Sequence, residues 1–225
     1  MNIVAFIPAR GGSKGIHKKN IVDFHGSPLL KYTINVCKKS KYINKTYVSS
    51  DDPEILNLAS KYGANAIERP PEISHDKSPT EEAIKHFIDS IGEVNLIVFL
   101  QVTSPLREVR DVDGLIEEVI KNDLDSAFTA CSLEDFFIWQ TEPNLSSINY
   151  DYKNRRRRQN ISDQIVENGS VYVFKPSVIS EHNNRLGGKM GYYLMDNWKV
   201  YEIDTEEDLE ICKFLYELKG LNCEQ

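Results

Sequence analysis

The sequence predicts an α/β fold with a mostly parallel sheet, and three features carry that prediction. Strand-like apolar runs alternate with amphipathic helical stripes between residues 3 and 131, in the order β-α-β-α-β-α-β-α-β. That alternation implies right-handed crossovers joining parallel strands. The strongest run, Leu96-Ile97-Val98-Phe99-Leu100, is apolar throughout, as suits a strand covered on both faces near the middle of such a sheet. Finally, the polar and glycine-rich segments follow the strands, so they gather at the carboxyl edge where open α/β sheets bind ligands.

The first strand covers Ile3 to Ile7, a short apolar run that ends in a loop. Pro28 to Lys39 reads as a helix, with Pro28 in its first turn and Leu30, Ile34 and Cys37 on one side. Lys45 to Ser49 is a second strand. Ser50-Asp51-Asp52-Pro53 then starts a helix carrying Ile55, Leu58, Ala59 and Tyr62, stopped at Gly63. Metal ligation by Asp51 and Asp52 is the costlier explanation, and helix capping is preferred. Ala64 to Glu68 is a short strand, and Arg69-Pro70-Pro71 must be irregular. A polar turn, Ser74 to Thr80, leads into a helix with Ile84, Phe87, Ile88 and Ile91 on one face. After the central strand, Val112, Leu115, Ile116, Val119 and Ile120 form a helical stripe, and Ser126 to Cys131 makes another strand.

The rhythm then changes. Residues 133–165 hold Phe136, Phe137, Trp139, Tyr150, Tyr152 and the run Arg155-Arg156-Arg157-Arg158 without a helical period, which reads as an inserted arm or hairpin in a single domain spanning 1–225. Strands are expected again at Ser170 to Lys175 and Lys199 to Ile203, and a final helix carries Leu209, Cys212 and Leu215.

Composition narrows the chemistry. The chain has 225 residues, 40% of them hydrophobic, and a formal net charge of -7. That size supports one substantial core. The net charge argues against nucleic acid or an anionic membrane as partner, so an anionic ligand needs a local basic site. Cys37, Cys131, Cys212 and Cys223 form no C-x-x-C pair and read as buried or incidental thiols. With no apolar run of spanning length and no cleavable leader pattern, the expected setting is cytoplasmic. The five histidines, at 17, 25, 75, 86 and 182, sit in unrelated contexts and read as ordinary surface or core residues.

Three constellations carry chemistry. Between Arg10 and Lys19 lie three glycines (11, 12 and 15), Ser13, Lys14 and Lys18. Closely spaced backbone N–H groups with added cations suit a polyphosphate. The spacing is neither G-x-x-x-x-G-K-[ST] nor G-x-G-x-x-G, and position after a buried first strand favours binding over a solvated loop. The second is Glu202 and Asp204, two apart on the expected last strand and so on one face. Such a pair suits Mg²⁺ (or Mn²⁺), which takes one or two carboxylates plus phosphate oxygens. Asp204 reads equally as the N-cap of a capping box with Glu207, and the phosphate loop tips the balance to metal. The third is the arginine run, read as a solvated patch, a nuclear-localisation-like cluster, an RNA contact or a bidentate grip on anionic substrate. The acidic chain disfavours RNA.

Taken together, these residues resemble the acylneuraminate (CMP-sialic acid) cytidylyltransferase family over essentially the whole chain. The segments that carry the resemblance are Ala9-Arg10-Gly11-Gly12-Ser13-Lys14-Gly15 with Lys19-Asn20-Ile21, Leu100-Gln101-Val102-Thr103-Ser104-Pro105-Leu106-Arg107, Arg157-Arg158-Gln159 with Glu167-Asn168-Gly169-Ser170, and Gly187-Gly188-Lys189-Met190. The resemblance implies a Rossmann-like nucleotidyltransferase domain whose arm, about 133–165, exchanges across a homodimer. It implies that Arg10, Gly11, Gly12, Ser13, Lys14, Lys19 and Asn20 hold CTP, with Arg69, Ser78 and Thr80 around base and ribose. It places Gln101 and Arg158 on the acid sugar, Arg157, Asp204 and Lys19 in catalysis, and Glu202 and Asp204 on the metal. Both metal positions are commonly aspartate in that family, so Glu202 is a departure.

The expected reaction is attack of the anomeric hydroxyl of a nine-carbon 2-keto acid sugar on the α-phosphate of CTP. Rival substrates are legionaminate, pseudaminate and the eight-carbon 3-deoxy-manno-octulosonate, the last disfavoured by the Arg-Arg-Gln and Glu-Asn-Gly-Ser segments. Rival classes are a sugar-1-phosphate nucleotidyltransferase and a nucleotide-binding regulator without catalysis.

Overall fold

In chain order, a computed structural model gives β1 (Ile3–Pro8), a small β2/β3 hairpin (Asp23–Phe24, Ser27–Pro28), α1 (Leu29–Lys39), β4 (Lys45–Ser50), α2 (Pro53–Lys61) and β5 (Asn65–Glu68). There follow α3 (Thr80–Ile91), β6 (Leu96–Leu100), α4 (Val109–Asn122) and β7 (Ser126–Ser132). A β8/β9 pair (Trp139–Gln140, Ser146–Ser147) precedes β10 (Ile165–Phe174), α5 (Pro176–His182), β11 (Met190–Leu194) and α6 (Glu206–Leu218). The structure describes residues 1–13, 15–132, 136–154 and 164–221. Lys14, Arg155–Arg158 and Cys223 lie outside them.

Seven strands form one sheet in the order β11-β7-β10-β6-β1-β4-β5. Pairs β1–β4, β1–β6, β4–β5 and β11–β7 are parallel, whereas β10 runs antiparallel to both β6 and β7. The sheet is therefore mostly parallel, with β6 in the middle as its unbroken apolar sequence requires.

The two-residue period of the strands sorts their side chains into two layers. Ile3, Ala5 and Ile7 of β1 and Val98 and Leu100 of β6 pack with α1, α4 and α6. The intervening Val4, Phe6, Ile97 and Phe99 face α3 and α5, meeting Ala83, Ile84, Phe87, Val178 and Ile179. Phe6 stacks on Phe87 with ring centroids 4.4 Å apart. The Ile84/Phe87 stripe is thus core packing. Cys37, Cys131 and Cys212 are buried free thiols. Among the described residues no helix is long and apolar enough to cross a membrane.

Four expectations need correction. The last strand, Lys199 to Ile203, does not form: Asn197–Val200 is a 3-10 turn followed by irregular backbone. Its alternation has another origin. Lys199 is drawn inside by Glu108 (2.6 Å) and Asp111 (2.7 Å), and Ile203 is buried while its N–H donates to Thr103 O (2.8 Å). Two elements, α5 and β11, are additional to those the sequence suggests: α5 is only seven residues long, and Gly191 interrupts the apolar run of β11. Strand β10 begins at Ile165, five residues before Ser170, so the segment 133–165 overlaps that strand by its first residue. Gly169, at φ +66°, coincides with a register shift between Glu167 and Tyr172, and this bulge interrupts the strand just before the Ser170 start that the sequence suggests. Lastly, the cap of α6 is Thr205 in a capping box with Asp208, not Asp204 with Glu207.

Candidate active site

The carboxyl ends of β1, β5 and β6 open into a cleft of about 370 Å³ lined by Arg10, Gly12, Ser13, Lys19, Asn20, Arg69, Ser78, Thr80 and Gln101, among others. Nine of the residues singled out in the sequence therefore meet in one place. The topology explains why: β1 and β6 are hydrogen-bonded neighbours, so the loops that follow them share an edge. Lys14, Arg157 and Arg158 fall outside the described residues.

Loop 8–20 is held by short-range bonds. The Asn20 side-chain amide donates to Arg10 O (2.9 Å), which turns the chain back on itself. Asp52 caps α2 by accepting from the Glu54 N–H (2.7 Å), as the sequence implies, and Asp51 accepts from Gly11 N (3.0 Å). The Gly11 amide is thus engaged by Asp51, and Gly11 does not itself line the cleft. Gly15 is required by a close approach, since a Cβ there would lie 2.1 Å from Asp204 O.

The cations face carboxylates and each other. Arg10 pairs with Asp76 (3.0 Å) and donates to His75 O (3.2 Å). Arg69 is buried, and desolvation lowers its pKa, with the charge of Asp51 raising it and that of Arg10 lowering it further. Two guanidinium groups that repel one another on a cleft wall favour an anion between them. Lys19 Nζ donates to Asp204 Oδ1 at 2.7 Å.

The acidic pair converges on this edge although its backbone is irregular. A Cβ on Gly169 would fall 1.9 Å from Glu202 Oε1 and 3.1 Å from Gln101 Nε2. The glycine therefore lets Glu202 and Gln101 approach the same point. Glu202 is pushed up to about 7, first by burial and then by the charge of Asp204, against the pull of Arg107 and Lys19 and a hydrogen bond from Thr103. Arg107 is itself buried and its pKa falls to about 10 through desolvation. Its Nε donates to Ser104 O (2.9 Å) and its Nη2 to Gln101 O, which fixes the turn that carries Gln101.

A divalent cation suits these carboxylates. Both offer hard oxygen donors, and Glu202 is desolvated beside a second negative charge that a cation would offset. Among the described residues no group of three or more His, Cys, Asp or Glu could hold a metal, so the pair would depend on ligand oxygens to complete a shell.

Sequence reasoning missed His75, Asp76, Thr103 and Arg185 in the cleft wall. His75 Nδ1 lies 3.0 Å from Ser78 Oγ. Its proximity to Ser78 in a polar turn was the available signal.

This sheet order with a cationic loop at the carboxyl edge defines an α/β nucleotidyltransferase fold. The structure of CMP:2-keto-3-deoxy-manno-octonic acid synthetase complexed with CTP matches it with a TM-score of 0.76 at 16% identity, covering 97% of this chain and 100% of that one. The chain belongs to the cytidylyltransferase family, whose profile matches residues 4–224. It is 34% identical over 213 residues to N-acylneuraminate cytidylyltransferase A of Danio rerio, covering 93% of this chain and 49% of that protein. It is 30% identical over 229 residues to pseudaminic acid cytidylyltransferase of Campylobacter jejuni (strain 81-176), covering 97% of each. The chain spans about half the length of the fish N-acylneuraminate relatives.

Proposed function

We propose that this protein transfers CMP from CTP to the anomeric hydroxyl of a nine-carbon 2-keto acid sugar of the N-acetylneuraminate type, releasing pyrophosphate. The observation that carries the reading is the convergence of Arg10, Lys19, Asn20, Arg69 and Gln101 on one cleft, with Asp204 held by Lys19 at its edge. The similarity to N-acylneuraminate cytidylyltransferases supports the substrate class. A second reading, a pseudaminate or legionaminate synthetase, is favoured by full-length similarity to the Campylobacter enzyme.

The protein's share of such a displacement is positioning and charge neutralisation. Backbone N–H groups of loop 12–15, with Arg10 and Lys14, cradle the triphosphate, while Arg69, Ser78 and Thr80 hold base and ribose. Entry of the triphosphate replaces Asp76 as the partner of Arg10. Gln101, on the turn fixed by Arg107, orients the acid sugar with Arg158. Lys19 and Arg157 offset charge that builds on the phosphate oxygens. Mg²⁺ or Mn²⁺, held by Asp204 and Glu202, would supply Lewis-acid polarisation and favour deprotonation of the attacking hydroxyl.

The proposal extends to a cytoplasmic homodimer. In the segment 136–154, the exposed Phe136, Leu145, Ile148 and Tyr152 offer apolar surface for a second copy. The test is incubation with CTP, Mg²⁺ and an acid-sugar panel, following pyrophosphate. Release with an acid sugar, abolished by EDTA, is expected. Binding of CTP without release on any sugar would favour a non-catalytic regulator.

A further inference from the structure

Arg185 lies in the cleft wall but belongs to neither the phosphate loop nor the acidic pair. It sits in the loop between α5 and β11, where its guanidinium stacks 4.4 Å from the ring centroid of Tyr172 and 5.4 Å from that of Phe99. Those two residues are register partners on the adjacent strands β10 and β6, and their rings meet edge-to-face with centroids 5.7 Å apart, so the guanidinium packs against an aromatic pair. Phe99 and Gln101 are two apart on one chain, with Phe99 the next-to-last residue of β6 and Gln101 just beyond the strand. Arg185 therefore stands beside the part of the cleft assigned to the acid sugar.

The anchoring of this arginine is specific. Its Nη1 donates to Glu81 Oε1 at 2.8 Å, and both side chains are largely buried. Its charge, next to the Tyr172 hydroxyl, also opposes the burial that pushes the pKa of that tyrosine up. Its buried Nε has no partner among the described residues. The planar fork is thus held from two sides while donor capacity remains, a preorganisation that lysine could not reproduce. Glu81 already balances the charge, so the pair presents N–H donors without net positive charge. A full anion gains little at such a site, whereas a neutral oxygen acceptor gains a fixed, desolvated donor.

We propose that the Glu81–Arg185 pair is a specificity element that donates to the carbonyl oxygen of an N-acyl group on the acid sugar. The inference rests on the cytidylyl-transfer reading and adds to it the residues that choose among acid sugars. Loss of such a donor weakens the matched substrate and spares the analogue that carries a hydroxyl at the same carbon, because a site built to hydrogen-bond one group discriminates against its replacement.

The experiment compares wild type, Arg185→Leu and Glu81→Gln on pairs of nonulosonates that differ only by acetamido or hydroxyl at one carbon, C5 or C7. Wild type is expected to prefer the acetamido partner at one of these carbons. Arg185→Leu should cut that kcat/KM ratio by about 10- to 100-fold, mainly through the sugar KM, with the CTP KM within about twofold. Glu81→Gln keeps a hydrogen-bond acceptor for Arg185 but removes its balancing charge. It should therefore improve use of a nonulosonate whose N-acyl group bears a carboxylate, such as N-succinyl, relative to N-acetyl. Unchanged ratios in both folded variants would overturn the inference while leaving cytidylyl transfer intact. A rise in CTP KM alone would also overturn it. Wild type inactive on every sugar would overturn cytidylyl transfer and this inference with it.

Discussion

Replacing Asp204 by asparagine separates chemistry from folding. The carboxylate is 71% exposed at its side chain and forms an ion pair with Lys19 at 2.7 Å. An exposed pair of this kind contributes about 0–1 kcal/mol to stability, and the α6 cap is built from Thr205 and Asp208 instead. Asp204→Asn should therefore shift the unfolding midpoint by only a few degrees. Its effect on the reaction is larger, because it removes one of two anionic donors for the divalent cation and the partner that orients Lys19. A loss of about 3 kcal/mol in the transition state, the scale found for one preorganised electrostatic contact, lowers kcat about 100-fold. Loss of the neighbouring charge also lowers the pKa of Glu202 toward the ordinary carboxylate range, since Asp204 is the second contributor to its rise. The assay is steady-state pyrophosphate release with CTP and sugar varied separately, beside a thermal melt. Unchanged kcat would refute the role given to Asp204, and a collapse of the melt would show that the carboxylate serves the fold.

Three further expectations follow from the geometry. Gly15→Ala puts a methyl group 2.1 Å from Asp204 O; the backbone must shift, and activity should fall at least about tenfold with about 1–3 kcal/mol of destabilisation, read by kinetics and urea unfolding. Lys199→Met leaves the buried Asp111 without its cation and should cost about 3–5 kcal/mol, whereas a cost below about 1 kcal/mol would show that the pair is not desolvated. In acid, Asp125 is held below its usual pKa by the Lys189 N–H and then Lys175, and Asp208 by the Thr205 N–H. Depressed folded-state values mean stability that is present above pH 4 and lost as pH falls through the folded pKa values. Asp125→Asn should therefore flatten the acid limb of a melting-temperature profile and lower its plateau.

How much the sequence revealed depended on how local the signal was. Leu96 to Leu100 could only be an inner strand, and the Val112-to-Ile120 stripe could only be a helix packed on one side. The cleft was legible because loops after parallel strands must gather at one edge, so Arg10, Lys19, Arg69 and Gln101 came together without any knowledge of side-chain positions. What the sequence concealed was set by tertiary contacts. Lys199 reads as the first residue of a strand, and it instead lies buried in a 3-10 turn because Glu108 and Asp111 at the start of α4 neutralise it. The bulge at Gly169 masked the length of β10 and is also what admits Glu202 toward Gln101. Arg185 carried no local signal: its place depends on Glu81, 104 residues earlier, and on an aromatic pair assembled across two strands.

The most direct test of cytidylyl transfer is ³¹P NMR of the protein with CTP, Mg²⁺ and an accepted acid sugar. The account predicts that the three CTP resonances give way to one phosphodiester resonance, from the CMP-sugar, and to pyrophosphate in equal amount. Appearance of CDP with inorganic phosphate, or of CMP with pyrophosphate and no phosphodiester, would contradict it.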